Sequence, residues 1–397
     1  MGNKMLNYKI QENMMNRKLF FCLLVSSIFV MSSCTKSANS IKTILKGEVI
    51  DRSQSHRLLL IKQGEDPRIS GEVYIPINDG KFEYVLNCEY EEQYDLVFED
   101  EYEQGSWKNV SFFSEQGVIN FTLYPSDRFN ENRIEGGKLT REYWDYLGAV
   151  LKIYEPIQKE IDEAQSKHMN IEGELLVRLK QAGEERILLT LHYIKEHSTI
   201  VGYSILFLET ESLIQRNRFS QETNDVTPYA NLYMTVFAPK FPDHPYTERM
   251  ENLLAGSSIK VGVPFVDFIT NDLKGKPVKL SERIKGKPAV LHLWASWCGP
   301  CRKKGKELIP VYEEFRDKGF VVIGVAREKS VSSAEAAIKL DKYPWENLVE
   351  LNDTEKIWVK YGIGNSGGMV FLIDENGIIV ANNPSTEEIR EFLINKL

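Results

Sequence analysis

The sequence predicts a chain in three parts: an antiparallel β-sandwich-like domain over residues 41–137, a helical region over 138–256, and an α/β domain over 261–397. Three observations carry this reading. Between Ile44 and Leu123, strand-length runs alternate with turn residues; Phe82, Tyr84 and Leu86 share one face and Glu83 takes the other, the period of a half-buried strand. From Thr140 the period changes, and Tyr143, Leu147, Val150, Tyr154, Ile157 and Ile161 recur at helical spacing. Beyond Val263 strands and helices alternate, and residues 288–295 form the near-continuous apolar run of a strand buried on both faces.

The 397 residues exceed what one average domain needs. With 42% hydrophobic and 27% charged residues, the chain has the composition of a globular protein rather than a disordered or fibrous one. Its formal charge of −8 counts against nucleic acid as a partner, because phosphate binding needs a basic face.

The N-terminus differs from the rest. Arg17 and Lys18 precede a thirteen-residue apolar run, 19–31, and then Ser32, Ser33 and Cys34. A basic start, a short apolar stretch and small residues make a secretory signal, and the run is too short to span a bilayer comfortably. The ending Met31-Ser32-Ser33-Cys34 resembles a bacterial lipoprotein processing site. That resemblance implies a signal peptide over 1–33, cleavage before Cys34, and a lipid on the Cys34 sulfur that anchors the chain to a membrane. A plain signal peptide with a chance cysteine, or a short anchor, is the alternative. Met14 and Met15 offer later starts with a more usual n-region. Cleavage removes Lys4, Lys9, Arg17 and Lys18 against Glu12 alone, so the mature chain is more acidic still.

Of five cysteines, Cys22 and Cys34 lie in or at the end of this segment, leaving Cys88, Cys298 and Cys301. A disulfide-stapled scaffold needs a larger even set, so one close pair remains for chemistry. Cys88 reads as a small buried apolar residue.

The elements follow in order. Residues 37–41 form a short polar tether. Strands are expected at 58–62, 72–76, 81–87, 94–98, 110–113 and 118–123, with Asp79-Gly80 as a hairpin turn. Helices follow from 140, then around 175–194, 199–215, 228–237 and 245–254. His192 and His197 are five apart and do not share a helix face as an i, i+4 ligand pair would, so they read as ordinary helix residues. In the last part, a strand at 288–295 leads into a helix from Pro300. A strand at 320–326, helices near 333–340 and 354–361, and a hairpin of 369–374 and 377–381 come next. Ser385 with Glu388 three residues on forms a capping box for the last helix.

The segment Trp294-Ala295-Ser296-Trp297-Cys298-Gly299-Pro300-Cys301 carries the chemistry. A dithiol exchanger needs one sulfur that ionises easily and a second close enough to resolve a mixed disulfide. At a helix start, unpaired N–H groups and the helix dipole stabilise a thiolate on Cys298. Cys301 lies one turn further on, within disulfide reach. Pro300 suits the first turn, where its missing N–H costs nothing. The alternative, half of a structural zinc site, needs four ligands, and the sequence holds no second Cys-x-x-Cys or paired His. No metal centre is expected on this count, and no organic cofactor is expected, since no Gly-rich nucleotide fingerprint stands at a strand end.

On these residues the C-terminal third resembles the thioredoxin superfamily, in particular its membrane-tethered TlpA/ResA-like disulfide reductases. The frame includes Val261-Gly262, Pro264-Phe265-Val266-Asp267-Phe268, Gly286-Lys287-Pro288, Tyr361-Gly362-Ile363 and Phe371-Leu372-Ile373-Asp374-Glu375-Asn376-Gly377. The resemblance implies a thioredoxin fold over 261–397 and a reductase of protein disulfides, with Cys298 as nucleophile and Cys301 as resolving thiol. The stretch ending in Ile134-Glu135-Gly136-Gly137 resembles a small β domain of unknown function that precedes thioredoxin modules in bacterial lipoproteins.

The chain departs from this family at three positions. Six residues before the nucleophile, where the family has a buried Asp or Asn, stands His292, read as a core residue or as a proton relay for Cys301. Three residues after Cys301, where ResA-like members carry a Glu, stands Lys304, within the basic run Arg302, Lys303, Lys304 and Lys306. It reads as a solvated helix face or as a cation favouring the thiolate. Where the family has a cis-proline, three residues before Phe371, stands Gly368. A cis bond there costs roughly 3–4 kcal/mol, so a trans bond and an altered substrate shelf at Gly367-Gly368 are expected. The loss of the family's cis-proline also leaves open a metal ion on the reduced pair. Trp297 and Pro300 join His292 and Lys304 as candidates for tuning the pair. The turn Tyr343-Pro344-Trp345 reads as core packing rather than an aromatic wall over the site.

The leading expectation is a lipid-anchored oxidoreductase on the periplasmic side of a bacterial membrane, acting on protein disulfides and recharged by a membrane electron-donor protein. Two alternatives stand beside it. One is a binding or scaffold lipoprotein whose thioredoxin module is degenerate. The other is a thiol peroxidase, which expects a Thr where Ser296 stands.

Overall fold

The computed structural model describes residues 40–219, 224–365 and 367–397. The predicted signal peptide and Cys34 lie outside the described residues.

Eight short strands open the fold: β1 (Ile41–Val49), β2 (Arg57–Lys62), β3 (Val73–Pro76), β4 (Lys81–Cys88), β5 (Gln93–Phe98), β6 (Val110–Phe113), β7 (Gly117–Leu123) and β8 (Arg133–Glu135). They form two four-stranded sheets, ordered β4-β1-β7-β8 and β3-β2-β5-β6. Alternate residues of both sheets meet in one core: Leu45, Phe82, Leu86 and Phe121 from the first, Leu58, Leu60, Leu96 and Phe112 from the second. Phe112 and Phe121 touch edge to face across it, 5.7 Å between centroids.

Two expectations are corrected here. The sandwich is not wholly antiparallel, because β1 and β7 pair in parallel. All of the second sheet lies between them in sequence, and a connection of that length permits parallel pairing where a hairpin does not. Asp79-Gly80 does make a tight turn, with φ of 49° and 69° and a bridge between Asn78 and Lys81. Its flanking strands, however, belong to different sheets, so it passes the chain between layers instead of building a ladder.

Four long helices follow: α1 (Lys138–Ser166), α2 (Gly173–Glu196), α3 (Ile200–Phe219) and α4 (Pro245–Ser257). The N-terminus of α1 is capped from the β6–β7 turn, where the Glu115 carboxylate accepts the N–H groups of Lys138, Leu139 and Thr140 at 2.7, 3.1 and 3.2 Å. Val201 to Phe207 of α3 are buried on every side, the signature of a helix enclosed by neighbours. Ser204 on α3 lies 2.8 Å from Gln63 and 2.6 Å from Gln93 of the β region, and Tyr246 of α4 donates to Gln63 at 2.7 Å. The helix expected at 228–237 runs through Thr227–Leu232, a π-helical turn Tyr233–Phe237 and Ala238–Lys240. His192 is exposed, and His197 stacks on Tyr193; neither forms a ligand pair.

The last part is a seven-stranded sheet ordered β10-β9-β13-β12-β11-β14-β15. Its strands are β9 (Ile269–Asp272), β10 (Pro277–Lys279), β11 (Ala289–Trp294), β12 (Val321–Glu328), β13 (Glu346–Leu351), β14 (Met369–Ile373) and β15 (Ile379–Asn382). The central β11, β12 and β13 are parallel; β14 returns antiparallel to β11, and β15 to β14. Helices α5 (Gly299–Phe315), α6 (Val331–Asp341) and α7 (Thr386–Lys396) complete it, and α7 opens with the expected capping box on Ser385 and Glu388. Every residue of β11 is buried. Tyr343 and Trp345 are buried and stacked at 5.1 Å, as core packing requires.

Sequence reading gave no bounds for β1 and missed β8, β9, β10 and β13, and the helix near 354–361 shrinks to a single turn, Ile357–Lys360. β13 was hidden because Asn347 and Glu350 sit among its apolar residues, although both are buried. The Glu350 carboxylate accepts N–H groups from Glu355 and Ile357, each at 3.1 Å. Burial, reinforced by the charge of Asp353, pushes its pKa from 4.5 up to about 7. The folded state then keeps a proton that the unfolded chain has lost, so stability falls as pH rises from about 4.5 to about 7. At about 1.4 kcal/mol for each pH unit of that window, the fall is at most about 3.5 kcal/mol. Glu350→Gln keeps an acceptor and removes the charge. Denaturant unfolding at pH 5 and pH 8 is expected to differ less in the variant than in the wild type, and an unchanged difference would refute this assignment.

Candidate active site

The reactive segment lies where β11 hands over to α5. Cys298 occupies the N-cap position of this 17-residue helix, and its sulfur accepts the Cys301 N–H at 3.3 Å. The two sulfurs are joined in a disulfide with the Cα atoms 5.3 Å apart. Each cysteine is 6% exposed. Cys301 Sγ also accepts the Gly368 N–H at 3.2 Å.

The loop before Cys298 is held by a residue that sequence reading did not single out. Glu328, buried at the end of β12, accepts both the N–H and the hydroxyl of Ser296, the latter at 2.9 Å. Burial raises its pKa, and the Ser296 donors oppose that shift. The Arg327-Glu328 pair ending the otherwise apolar run of β12 was the available signal.

His292 is buried on β11, and its Nε2 lies 3.2 Å from the carbonyl oxygen of Cys301. An oxygen acceptor there requires the Nε2–H tautomer. Nδ1 has no partner among the described residues. Burial, with Lys304 adding to it, lowers the His292 pKa to about 4, so the ring is neutral at physiological pH. His292 thus meets the backbone of Cys301. Lys304 and His292 both line a cavity of about 180 Å3 beside Cys301. Lys303 and Lys306 are solvated, whereas Arg302 is taken up by a two-pronged ion pair with Asp341 at 2.6 and 3.0 Å.

Trp297 is half-buried against Trp358, and the Arg68 guanidinium lies 3.8 Å from its ring centroid. Arg68 comes from a short helix after β2, and it also donates to the Asn365 carbonyl at 2.7 Å. Pro300 is exposed at the helix mouth. Gly367 and Gly368 stand against the disulfide in the segment before β14, joined by a trans bond. A Cβ at Gly367 would lie 3.8 Å from Cys298 Sγ, an ordinary contact; one at Gly368 would lie 1.9 Å from the Leu293 carbonyl oxygen. Glycine is there because the backbone of β11 leaves no space for a side chain.

A groove of about 790 Å3 opens onto Cys298, Pro300 and Gly367, and its opposite side is α3. Cys88, expected to be a small buried residue, is half-buried at the end of β4, packed against the sandwich core. Among the described residues, no cluster of three His, Cys, Asp or Glu side chains is placed to hold a metal ion, and no helix is long and apolar enough to cross a membrane.

A dithiol pair at the mouth of a helix, on a parallel sheet closed by an antiparallel β14, defines a thioredoxin-fold thiol–disulfide oxidoreductase. Its C-terminal part is similar to the TlpA/ResA-like thioredoxin-fold proteins. Residues 261–382 match the AhpC/TSA family. The thiol-disulfide oxidoreductase ResA of Bacillus thuringiensis (strain Al Hakam) is 29% identical over 124 residues, which are 31% of this chain and 68% of that protein. ResA of Geobacillus kaustophilus is 26% identical over 140 residues, 34% of this chain and 78% of the relative. Among solved structures, the thioredoxin domain of a thiol-disulfide oxidoreductase from Bacteroides vulgatus is 28% identical, covering 35% of this chain and 98% of that one with a TM-score of 0.32.

Proposed function

We propose that this chain is an exported, lipid-anchored oxidoreductase that reduces protein disulfides through Cys298-Gly299-Pro300-Cys301. The observation that carries the reading is the Cys298–Cys301 disulfide at the start of α5, open to a groove. In the reduced form, the Cys298 thiolate attacks one sulfur of a substrate disulfide. A mixed disulfide forms, and the other substrate sulfur leaves as a thiolate. The Cys301 thiolate then attacks Cys298 Sγ, closes the Cys298–Cys301 bond and releases the second substrate thiol. Two electrons pass from the pair to the substrate, whose sulfurs take up two protons. A membrane electron-donor protein with its own dithiol restores the reduced pair.

The helix terminus favours the Cys298 thiolate. His292 acts as a positioning residue through the Cys301 carbonyl, Lys304 supplies a nearby cation, and Trp297 and Pro300 shape the approach. The Gly367-Gly368 segment is the shelf against which substrate lies. Export, the lipid on Cys34 and a periplasmic location rest on the sequence of residues 1–34. The redox potential of the pair tests the direction of flow. A value near the roughly −270 mV of reducing pairs is expected, and one near about −120 mV would assign the site to disulfide formation instead.

A further inference from the structure

The groove over Cys298 is built by two distant parts of the chain. Its far wall is one face of α3: Glu211, Ser212, Gln215 and Arg216, at the i, i+4 spacing that puts residues on a common side. That wall is anchored. Gln215 packs so closely on Gly364 that a Cβ there would meet its amide nitrogen at 1.8 Å. Arg218 donates to the carbonyls of Ile259 at 2.7 Å and Gly256 at 3.1 Å, and Glu209 pairs with Arg186. A space of about 790 Å3 between such a wall and the helix mouth has the size of an enclosed ligand site. It admits a short stretch of extended chain, whereas the face of a folded domain would strike α3 first.

The charge on this wall is uneven. Arg216 is exposed on the groove and has no ion-pair partner among the described residues. The one carboxyl among the residues of α3 that line the groove, Glu211, is half-buried, with Arg249 close enough to act on its charge. Lys304, beyond Pro300 in the adjoining cavity, adds a second cation to the same approach.

We propose that α3 is the second wall of the substrate groove and that Arg216 on it selects disulfides carried on extended polypeptide and flanked by acidic side chains. This rests on the oxidoreductase reading above and names the substrate class of that site. The test uses the full chain and two synthetic peptides, each with one disulfide, identical except for flanking Asp or flanking Lys residues. The ratio of their kcat/KM values is measured on one enzyme preparation, so any loss of folded protein cancels. The wild type is expected to prefer the acidic peptide by roughly three- to fivefold, the upper size of an exposed ion pair, and less at high salt. Arg216→Gln is expected to bring the ratio closer to one, leaving only the part owed to Lys304, and Arg216→Glu to bring it lower still. A wild-type ratio of one, or a ratio that neither variant moves, overturns the proposal while leaving the oxidoreductase reading intact. If the wild type reduces both peptides no faster than Cys298→Ser does, the oxidoreductase reading itself falls, and this proposal with it.

Discussion

Cys298→Ser is expected to lower the turnover of protein disulfides by roughly three orders of magnitude or more, the loss that follows removal of a covalent nucleophile. Cys301→Ser is expected to behave differently. Its Cys298 can still attack, but nothing remains one helical turn away to resolve the product, so a mixed disulfide with substrate accumulates. Insulin reduction followed by turbidity measures the first effect, and mass analysis under non-reducing conditions measures the second. The Cys298 sulfur sits at the N-cap of α5 and already accepts the N–H of Cys301, so serine fits the position and the fold should survive. Equal rates for wild type and Cys298→Ser would favour the other reading of the chain, a binding lipoprotein whose thioredoxin module is structural.

Substitution of Gly368 is expected to produce the largest change in stability within the site. A Cβ there would stand 1.9 Å from the Leu293 carbonyl oxygen and 3.1 Å from Cys301 Sγ. Leu293 lies within buried β11, which pairs with β12 and β14 on either side, so it cannot retreat cheaply. Gly368→Ala should therefore cost about 1–3 kcal/mol or more, by the measure of overpacked cores. Gly368→Pro adds a second loss, the N–H donated to Cys301 Sγ. Gly367→Ala separates the two causes, because its Cβ would have room, 3.8 Å from Cys298 Sγ, and any loss there reports the backbone φ of 158° rather than a clash. Chemical denaturation reads all three. An alanine at 368 as stable as wild type would show that the β11 backbone gives way and would remove the steric account of why glycine stands there.

Much of the fold was legible because its signals are local. Most strands of the sandwich, the amphipathic helix α1, the buried run of β11 and the capping box of α7 are each set by residues close together in the chain, and periodicity or spacing reads them directly. β13 escaped because burial of Glu350 and Asn347 depends on partners elsewhere, and a carboxylate in a short run reads as solvent-facing. Asp79-Gly80 shows the same limit: the dipeptide specifies a turn, but which sheets its arms join is decided by the packing of two layers.

Sequence by itself determined the chemistry-bearing pair, because two cysteines three apart at the start of a helix are brought within bonding reach by helix geometry alone. It also determined the strand that presents them and the class of fold around them. Only the tertiary structure decided what faces that pair. Arg216 approaches the groove from a helix more than eighty residues earlier, Arg68 reaches Trp297 from the β region, Glu328 ties down Ser296, and Glu115 caps α1. The reason is the range of the forces involved. Backbone hydrogen bonds and side-chain periodicity act between near neighbours in the chain, whereas the walls of a groove are set by which buried surfaces find one another after the chain has closed on itself.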